Sequence, residues 1–225
     1  MRRWLGTCWA GVGLGALLVL VGCQGVTGPI TPSKKVSLFN GKDLSGWKLV
    51  VSDPNVDTRR VWSVKDGAVR CEGKPTGYMR TLKAYHNYRL HIEWRWPGTP
   101  TNSGVLVHTS GPDKVWPRCI ECQLQAGSAG DFVLIGGTGI TIQGARKQDV
   151  SKAYVILPKR QPGSEVTPGQ WNTYDIVCYK DTIQCSVNKV LQNEGTRATD
   201  TAGWICLQSE GGPVEFRNIT LEPVR

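Results

Sequence analysis

The sequence predicts an all-β fold, a sandwich or barrel of many short strands, and three observations carry that expectation. Apolar and polar residues alternate along short runs rich in Val, Ile, Trp and Tyr, the period-two pattern of strands with one buried face. Turn signals interrupt those runs about every eight to twelve residues, and 27 glycines and 13 prolines supply them. No window of about twelve residues keeps helical apolar spacing between capping signals. With 225 residues and 40% hydrophobic side chains, one large β domain is the simplest organisation.

The N-terminus comes first. Met1-Arg2-Arg3 and the apolar, Gly-rich stretch from Ala10 to Val21 form a charged and then greasy leader, shorter than the roughly 20 residues that span a bilayer. It closes on Leu20-Val21-Gly22-Cys23, which resembles a bacterial lipobox. Residues 1–22 are therefore expected to leave as a lipoprotein signal and Cys23 to carry the lipid. Several acyl chains on one residue anchor a protein stably, since each buried methylene adds about 0.8 kcal/mol. The next residue is Gln24 rather than Asp, which in Gram-negative lipoproteins favours the outer membrane. The expected location is the bacterial cell envelope, at the outer membrane or its periplasmic face. Residues 23–35, with their Gly, Pro, Thr and Ser, read as a lipidated tether, and residues 36–225 as the domain.

Within that domain, strands are expected at 61–64, 68–71, 88–96, 104–108, 120–125, 132–135, 154–157, 171–179, 182–187, 203–208 and 214–221. Asn40-Gly41 and Asp66-Gly67 mark tight turns. Of eight cysteines, Cys8 goes with the signal and Cys23 with the lipid, and the rest face an oxidising compartment. In Cys178–Cys185 a turn at Asp181-Thr182 would set the two thiols opposite each other, the favoured disulfide. Cys71, Cys122 and Cys206 sit in apolar alternation and read as core. Cys119 and Cys122 make a poor zinc pair, because their spacing on a strand points them to opposite faces.

Loss of Arg2 and Arg3 with the signal takes the formal charge from +9 to +7. The remaining basic residues are scattered, paired only at Lys34-Lys35, Arg59-Arg60, Arg146-Lys147 and Lys159-Arg160. Without a basic stripe, nucleic acid is not an expected partner.

The most informative stretch runs from Asn102 to Leu124. Alternation gives Leu106 and His108 one face of the first strand and Val105 and Val107 the other. In the second strand Ile120, Cys122 and Leu124 point one way, and Glu121 and Gln123 the other. The expected result is a sheet with one apolar face and one face carrying a carboxylate, a carboxamide and an imidazole, with Trp116 and Arg118 in the loop between. Such a set suits sugar hydroxyls.

The run Ser37-Leu38-Phe39-Asn40-Gly41-Lys42-Asp43-Leu44-Ser45-Gly46-Trp47 resembles the opening signature of the 3-keto-disaccharide hydrolase domain family of secreted bacterial proteins. Later pieces fit in order: Trp62 with Asp66-Gly67, Tyr88 to Trp96, Asn102-Ser103-Gly104-Val105, Glu121-x-Gln123, Trp171-Asn172-Thr173-Tyr174, Val187-Asn188, Leu207-Gln208 and Val214 to Ile219. The resemblance covers nearly all of residues 36–225. It implies a concanavalin-A-like jelly-roll sandwich of two antiparallel sheets with a carbohydrate groove on its concave face.

Ordinary retaining glycosidases need two carboxyl groups about 5–5.5 Å apart, and laminarinase-type jelly rolls supply them from one strand as Glu-x-Asp-x-Glu. Here Cys119-Ile120-Glu121-Cys122-Gln123 has one carboxylate where three would stand, so direct displacement at an unmodified glycoside is disfavoured. A 3-keto sugar removes the need. Its carbonyl acidifies the hydrogen on C2, one base abstracts it, the enolate expels the C1 substituent, and water adds back. Glu121 is the expected base, with His108 as donor to the oxyanion or acid to the leaving oxygen. Gln123, Asn102, Trp116, Arg95 and Glu210 are the expected substrate-binding residues, Trp116 by stacking on a sugar face. The family pattern has His at the position of Glu210, which leaves the second catalytic partner open. A divalent cation can stand in for His108 as electrophile, and no other cofactor is expected. Plainer roles exist for each: Glu121 in a salt bridge with Arg118 or Arg95, His108 bonded to a loop carbonyl, Trp116 as a core plug.

Two function classes follow. One is an envelope enzyme that cleaves or hydrates 3-keto glycosides made by a separate sugar 3-dehydrogenase, since no GxGxxG fingerprint for that enzyme's cofactor occurs here. The other is a lipid-anchored carbohydrate-binding module, which needs the groove and aromatics but no poised base.

Overall fold

The computed structural model describes residues 28–224. The expected signal and Cys23 lie outside the described residues. Seventeen strands follow one another: β1 (Val36–Ser37), β2 (Trp47–Val51), β3 (Trp62–Lys65), β4 (Ala68–Cys71), β5 (Gly77–Thr81), β6 (Tyr88–Arg95), β7 (Gly104–Ser110), β8 (Arg118–Gln123), β9 (Phe132–Ile135), β10 (Ile140–Ile142), β11 (Ala145–Lys147), β12 (Tyr154–Leu157), β13 (Asn172–Tyr179), β14 (Thr182–Val187), β15 (Val190–Gly195), β16 (Trp204–Ser209) and β17 (Val214–Pro223). A single 3₁₀ turn at Thr58–Arg60 is the one helical element among the described residues.

Two large antiparallel sheets form a jelly-roll sandwich. One runs β15-β14-β13-β6-β17-β4-β3, with β1 added beside β17, and the other runs β12-β9-β8-β7-β16-β5-β2. Strands adjacent in sequence often lie in opposite sheets, as β6 and β7 or β16 and β17 do. Alternation then decides what goes inside. Trp62, Tyr88, Trp94, Tyr174 and Phe216 from the eight-stranded sheet meet Val105, Val107, Ile120, Cys122, Phe132 and Leu207 from the seven-stranded one in a continuous core. The seven-stranded sheet buries a second apolar cluster on its outer face, of Tyr78, Leu106, Cys119, Val133, Ile135 and Cys206.

Every strand expected from the sequence is present within a few residues of its expected ends. The strands missed carry weak alternation. In β5, Gly77-Tyr78-Met79-Arg80-Thr81, all five residues are buried, so no polar face marks it; β11 is exposed throughout. The expected Cys178–Cys185 pairing is corrected by the register. Tyr179 pairs with Thr182, so the turn is Lys180-Asp181, Cys178 lies opposite Ile183, and Cys185 lies opposite Ile176. Lys180 supplies the positive φ of 52° that this two-residue turn requires. All six cysteines of the domain are free and buried.

Candidate functional site

The outer face of the seven-stranded sheet carries the site. On β8 the side chains of Cys119, Glu121 and Gln123 point outward while Ile120 and Cys122 join the main core. Glu121 is paired with Leu106 of β7 and with Val133 of β9. A pocket of about 440 Å³ opens there, lined by Asn102, Trp116, Glu121, Gln123, Gln125, Glu210 and an apolar group from β9 and β12. Asn102 and Glu210 are held together by a β-bridge. The neighbouring Ser103 fixes that junction by donating from Oγ to the Gln208 carbonyl at 2.8 Å.

Glu121 is 3% exposed, and its Oε1 is buried without a hydrogen-bond partner. Burial, and then the charge of Glu210, push its pKa up to about 8. Glu210 is also raised by burial, while Asn102 beside it works in the opposite direction. Two carboxyls thus face one pocket in different environments, the arrangement that separates proton donor from proton acceptor. The salt bridges that would have made Glu121 structural are not formed: Arg118 pairs with Asp200 at 2.9 Å and Arg95 with Glu215 at 2.7 Å.

Gln123 is fixed in one orientation. Its Oε1 accepts from the backbone N–H groups of Leu124 and Gln125, both at 3.0 Å, which leaves its NH₂ as the group free to serve the pocket. Asn102 Oδ1 is buried and unpartnered, as are both amide atoms of Gln208. Buried polar atoms without partners are costly, and Glu121 Oε1 and Asn102 Oδ1 are two such atoms lining one pocket, where a hydrogen-bonding ligand can meet them.

Two expected site residues lie elsewhere. Alternation predicts His108 on the Leu106 face. Instead β7 bulges between Val107 and Ser110, and His108 takes a φ of 54°. The extra residue reverses the parity of the strand. The imidazole turns into the sandwich, edge-on to Tyr88 with ring centroids 6.2 Å apart. There it is fully buried and burial lowers its pKa to about 4. Arg95 belongs to β6 of the opposite sheet, where it also covers the Trp171 ring at 4.6 Å. Trp116, 44% exposed, is at the pocket mouth rather than in the core.

Sequence reasoning missed Gln125 and the β12 pair Tyr154 and Ile156. The signal was present for the last two: a strand of Tyr154-Val155-Ile156-Leu157 has no polar face to give to water. Among the described residues no group of three or more His, Cys, Asp or Glu side chains is gathered as a metal site. The donors that the pocket offers are two carboxyls and carboxamides.

A two-sheet antiparallel jelly roll of this kind is a concanavalin-A-like fold. Solved structures share the fold. A Parabacteroides distasonis ATCC 8503 protein provisionally named a glycosyl hydrolase superposes with a TM-score of 0.61 at 23% identity, over 85% of this chain and 94% of that one. The β-glucanase of Bacillus licheniformis gives 0.56 at 15% identity, over 84% and 97%. The carbohydrate-binding module CBM66 of Bacillus subtilis gives 0.54 at 10%, over 79% and 95%. The sequence profile of the 3-keto-alpha-glucoside-1,2-lyase-like domain matches residues 34–222, and the chain belongs to that family. No curated protein sequence matches this chain.

Proposed function

We propose that this protein cleaves 3-keto glycosides at C1, as a lyase or a hydrolase, by removing the proton on C2. The observation that carries the proposal is the Glu121 carboxyl, buried at the pocket with Oε1 unpartnered and a pKa of about 8. A base of that strength is matched to proton transfer near neutral pH.

Glu121 takes the C2 proton, and the electron pair left behind becomes the enolate on C3. That charge falls to neighbouring donors, for which the NH₂ of Gln123, its carbonyl already capped, is the best placed. Collapse of the enolate restores the C3 carbonyl, forms the C1–C2 double bond, and breaks the bond from C1 to the leaving oxygen, which takes up the proton that Glu121 removed and so returns the base. Water adding across the double bond completes hydrolysis, and release without it is lyase chemistry. Glu210 raises the basicity of Glu121 and, with Asn102, meets sugar hydroxyls, while Trp116 stacks on the ring. The substrate's C3 carbonyl is supplied by a separate sugar 3-dehydrogenase. A carbohydrate-binding module would use the same amides and tryptophan, but it gains nothing from a desolvated carboxyl.

Envelope anchoring through Cys23 belongs to the same proposal, supported by the lipobox-like Leu20-Val21-Gly22-Cys23. Cys23→Ala is expected to leave an uncleaved precursor that takes up no labelled fatty acid. For the chemistry, the protein is incubated with 3-keto trehalose or a 3-keto glucoside, with release of sugar or aglycone expected. Saturable binding with both substrates left intact would transfer the assignment to the binding module.

A further inference from the structure

The pocket has two walls of opposite character. Asn102, Glu121, Gln123 and Glu210 form the polar one, and facing them stand Val133 and Ile135 of β9 with Tyr154 and Ile156 of β12. Register puts this second wall together: Val133 pairs with Ile156 and Ile135 with Tyr154, so two apolar rows run outward from the Glu121 strand to the edge of the sheet. Tyr154 is 59% and Ile156 49% exposed. Val133 and Ile135 are themselves buried, so the apolar side chains left in water beside the polar cleft are the two on the edge strand, a mark of ligand contact.

The other direction is closed. The loop joining β7 to β8 reaches across to β5 and β2, where the Asp113 carboxylate takes Arg80 at 2.7 and 3.2 Å, the Tyr78 hydroxyl at 3.3 Å and Lys48 at 2.7 Å. Arg80 is itself held under the Trp204 ring at 4.1 Å. Beneath this latch Tyr78 and Cys206 are essentially inaccessible although they belong to the outer face of the sheet. A glycoside whose sugar ring meets Glu121 therefore has its remaining length over β9 and β12.

We infer that the group attached to that sugar is aromatic or otherwise apolar, the ring of an aryl glycoside rather than a second pyranose. The inference rests on the reading of the pocket as a glycoside site. A second sugar would press hydroxyls onto Ile156 and the apolar floor beside it, which neither donate nor accept, so each hydroxyl would give up water for nothing. An aryl ring loses only apolar surface there and stacks against Tyr154.

The test uses unoxidised glycosides, which bind without being turned over. Calorimetry on the full chain in a non-glycosidic detergent compares phenyl glucoside, methyl glucoside and a glucosyl disaccharide, in both anomers. Phenyl glucoside is expected to bind about tenfold more tightly than the methyl glucoside of the same anomer, as burial of one ring allows, and the disaccharide no more tightly than the methyl compound. The exposed position of Ile156 lets Ile156→Gln fold normally, and it should erase the phenyl advantage. A disaccharide that binds as well as phenyl glucoside, a phenyl compound with no advantage over methyl or no binding at all, or an advantage that survives Ile156→Gln, overturns the inference. Turnover of methyl 3-keto glucoside, which carries neither an aryl group nor a second sugar, reports separately on the elimination chemistry, so either reading can fail alone.

Discussion

Gly104 lies directly against the Glu121 side chain: a Cβ built on Gly104 would stand 2.7 Å from Glu121 Cδ and 2.9 Å from its Cγ. The glycine is what lets a carboxyl lie flat on the sheet between β7 and β8. Without that space the group would be pushed from the pocket floor towards solvent, and the burial that sets its pKa would be lost.

Gly104→Ala is therefore expected to separate function from stability. The atoms in the way are the end of a flexible side chain, so the fold should change by no more than about 1 kcal/mol. Turnover of a 3-keto glycoside should fall by about 10- to 100-fold, as misplacement of a reacting group by about an ångström does. Thermal melting and steady-state kinetics on one preparation check both halves.

Glu210 should set the working pH of Glu121. Its charge raises the Glu121 pKa, so in Glu210→Gln the ascending limb of kcat/KM against pH, expected near 8 in the parent, moves to lower pH. A limb that stays in place would mean that Glu121 is not the titrating base.

His108 should matter for acid stability and not for turnover. Its folded pKa of about 4 lies below the ordinary 6.5, so the stability it contributes is present above about 6.5 and is lost as pH falls towards 4, where the unfolded chain takes up a proton that the folded one refuses. Since the ring is buried, the loss is on the order of 3 kcal/mol. His108→Asn, a residue that tolerates positive φ, should flatten this slope in denaturant titrations at pH 4 to 7. Its turnover should remain within about threefold of the parent. A loss comparable with that expected at Glu121 would return the imidazole to the mechanism.

The contrast between His108 and Glu121 shows how far the sequence can be read. Alternation alone predicts one outward face for both. It holds for β8, where Ile120 and Cys122 pin the register from the core side, and it fails for β7 after Val107, because a bulge is set by tertiary contacts. Gly203 packs so closely on the His108–Thr109 backbone that a Cβ would collide with it, and nothing near His108 in sequence announces that contact. The hairpin at Lys180-Asp181 slipped for a related reason: a turn one residue earlier than read moved Cys178 and Cys185 out of register. The Arg95 assignment failed on topology, since β6 and β7 adjoin in sequence but lie in opposite sheets. Trp116, Gln123, Asn102 and Glu210 converge with Glu121 on one pocket, although only Gln123 shares its strand.

The central claim is that Glu121 is a base held at a cost to stability. Its raised pKa means that the folded state is favoured below about 4.5, the ordinary carboxyl value, and loses stability as pH rises through about 8. For a fully buried carboxyl the loss is on the order of a few kcal/mol. Glu121→Gln keeps the shape and removes the charge. Turnover of a 3-keto glucoside and melting temperature, measured together on parent and Glu121→Gln at pH 8.5, therefore test the account most directly. Turnover is expected to fall by about 10²- to 10⁴-fold, the usual contribution of a positioned base, while the melting temperature rises above the parent's. A variant that keeps its turnover and melts earlier would contradict the account and make Glu121 a structural residue.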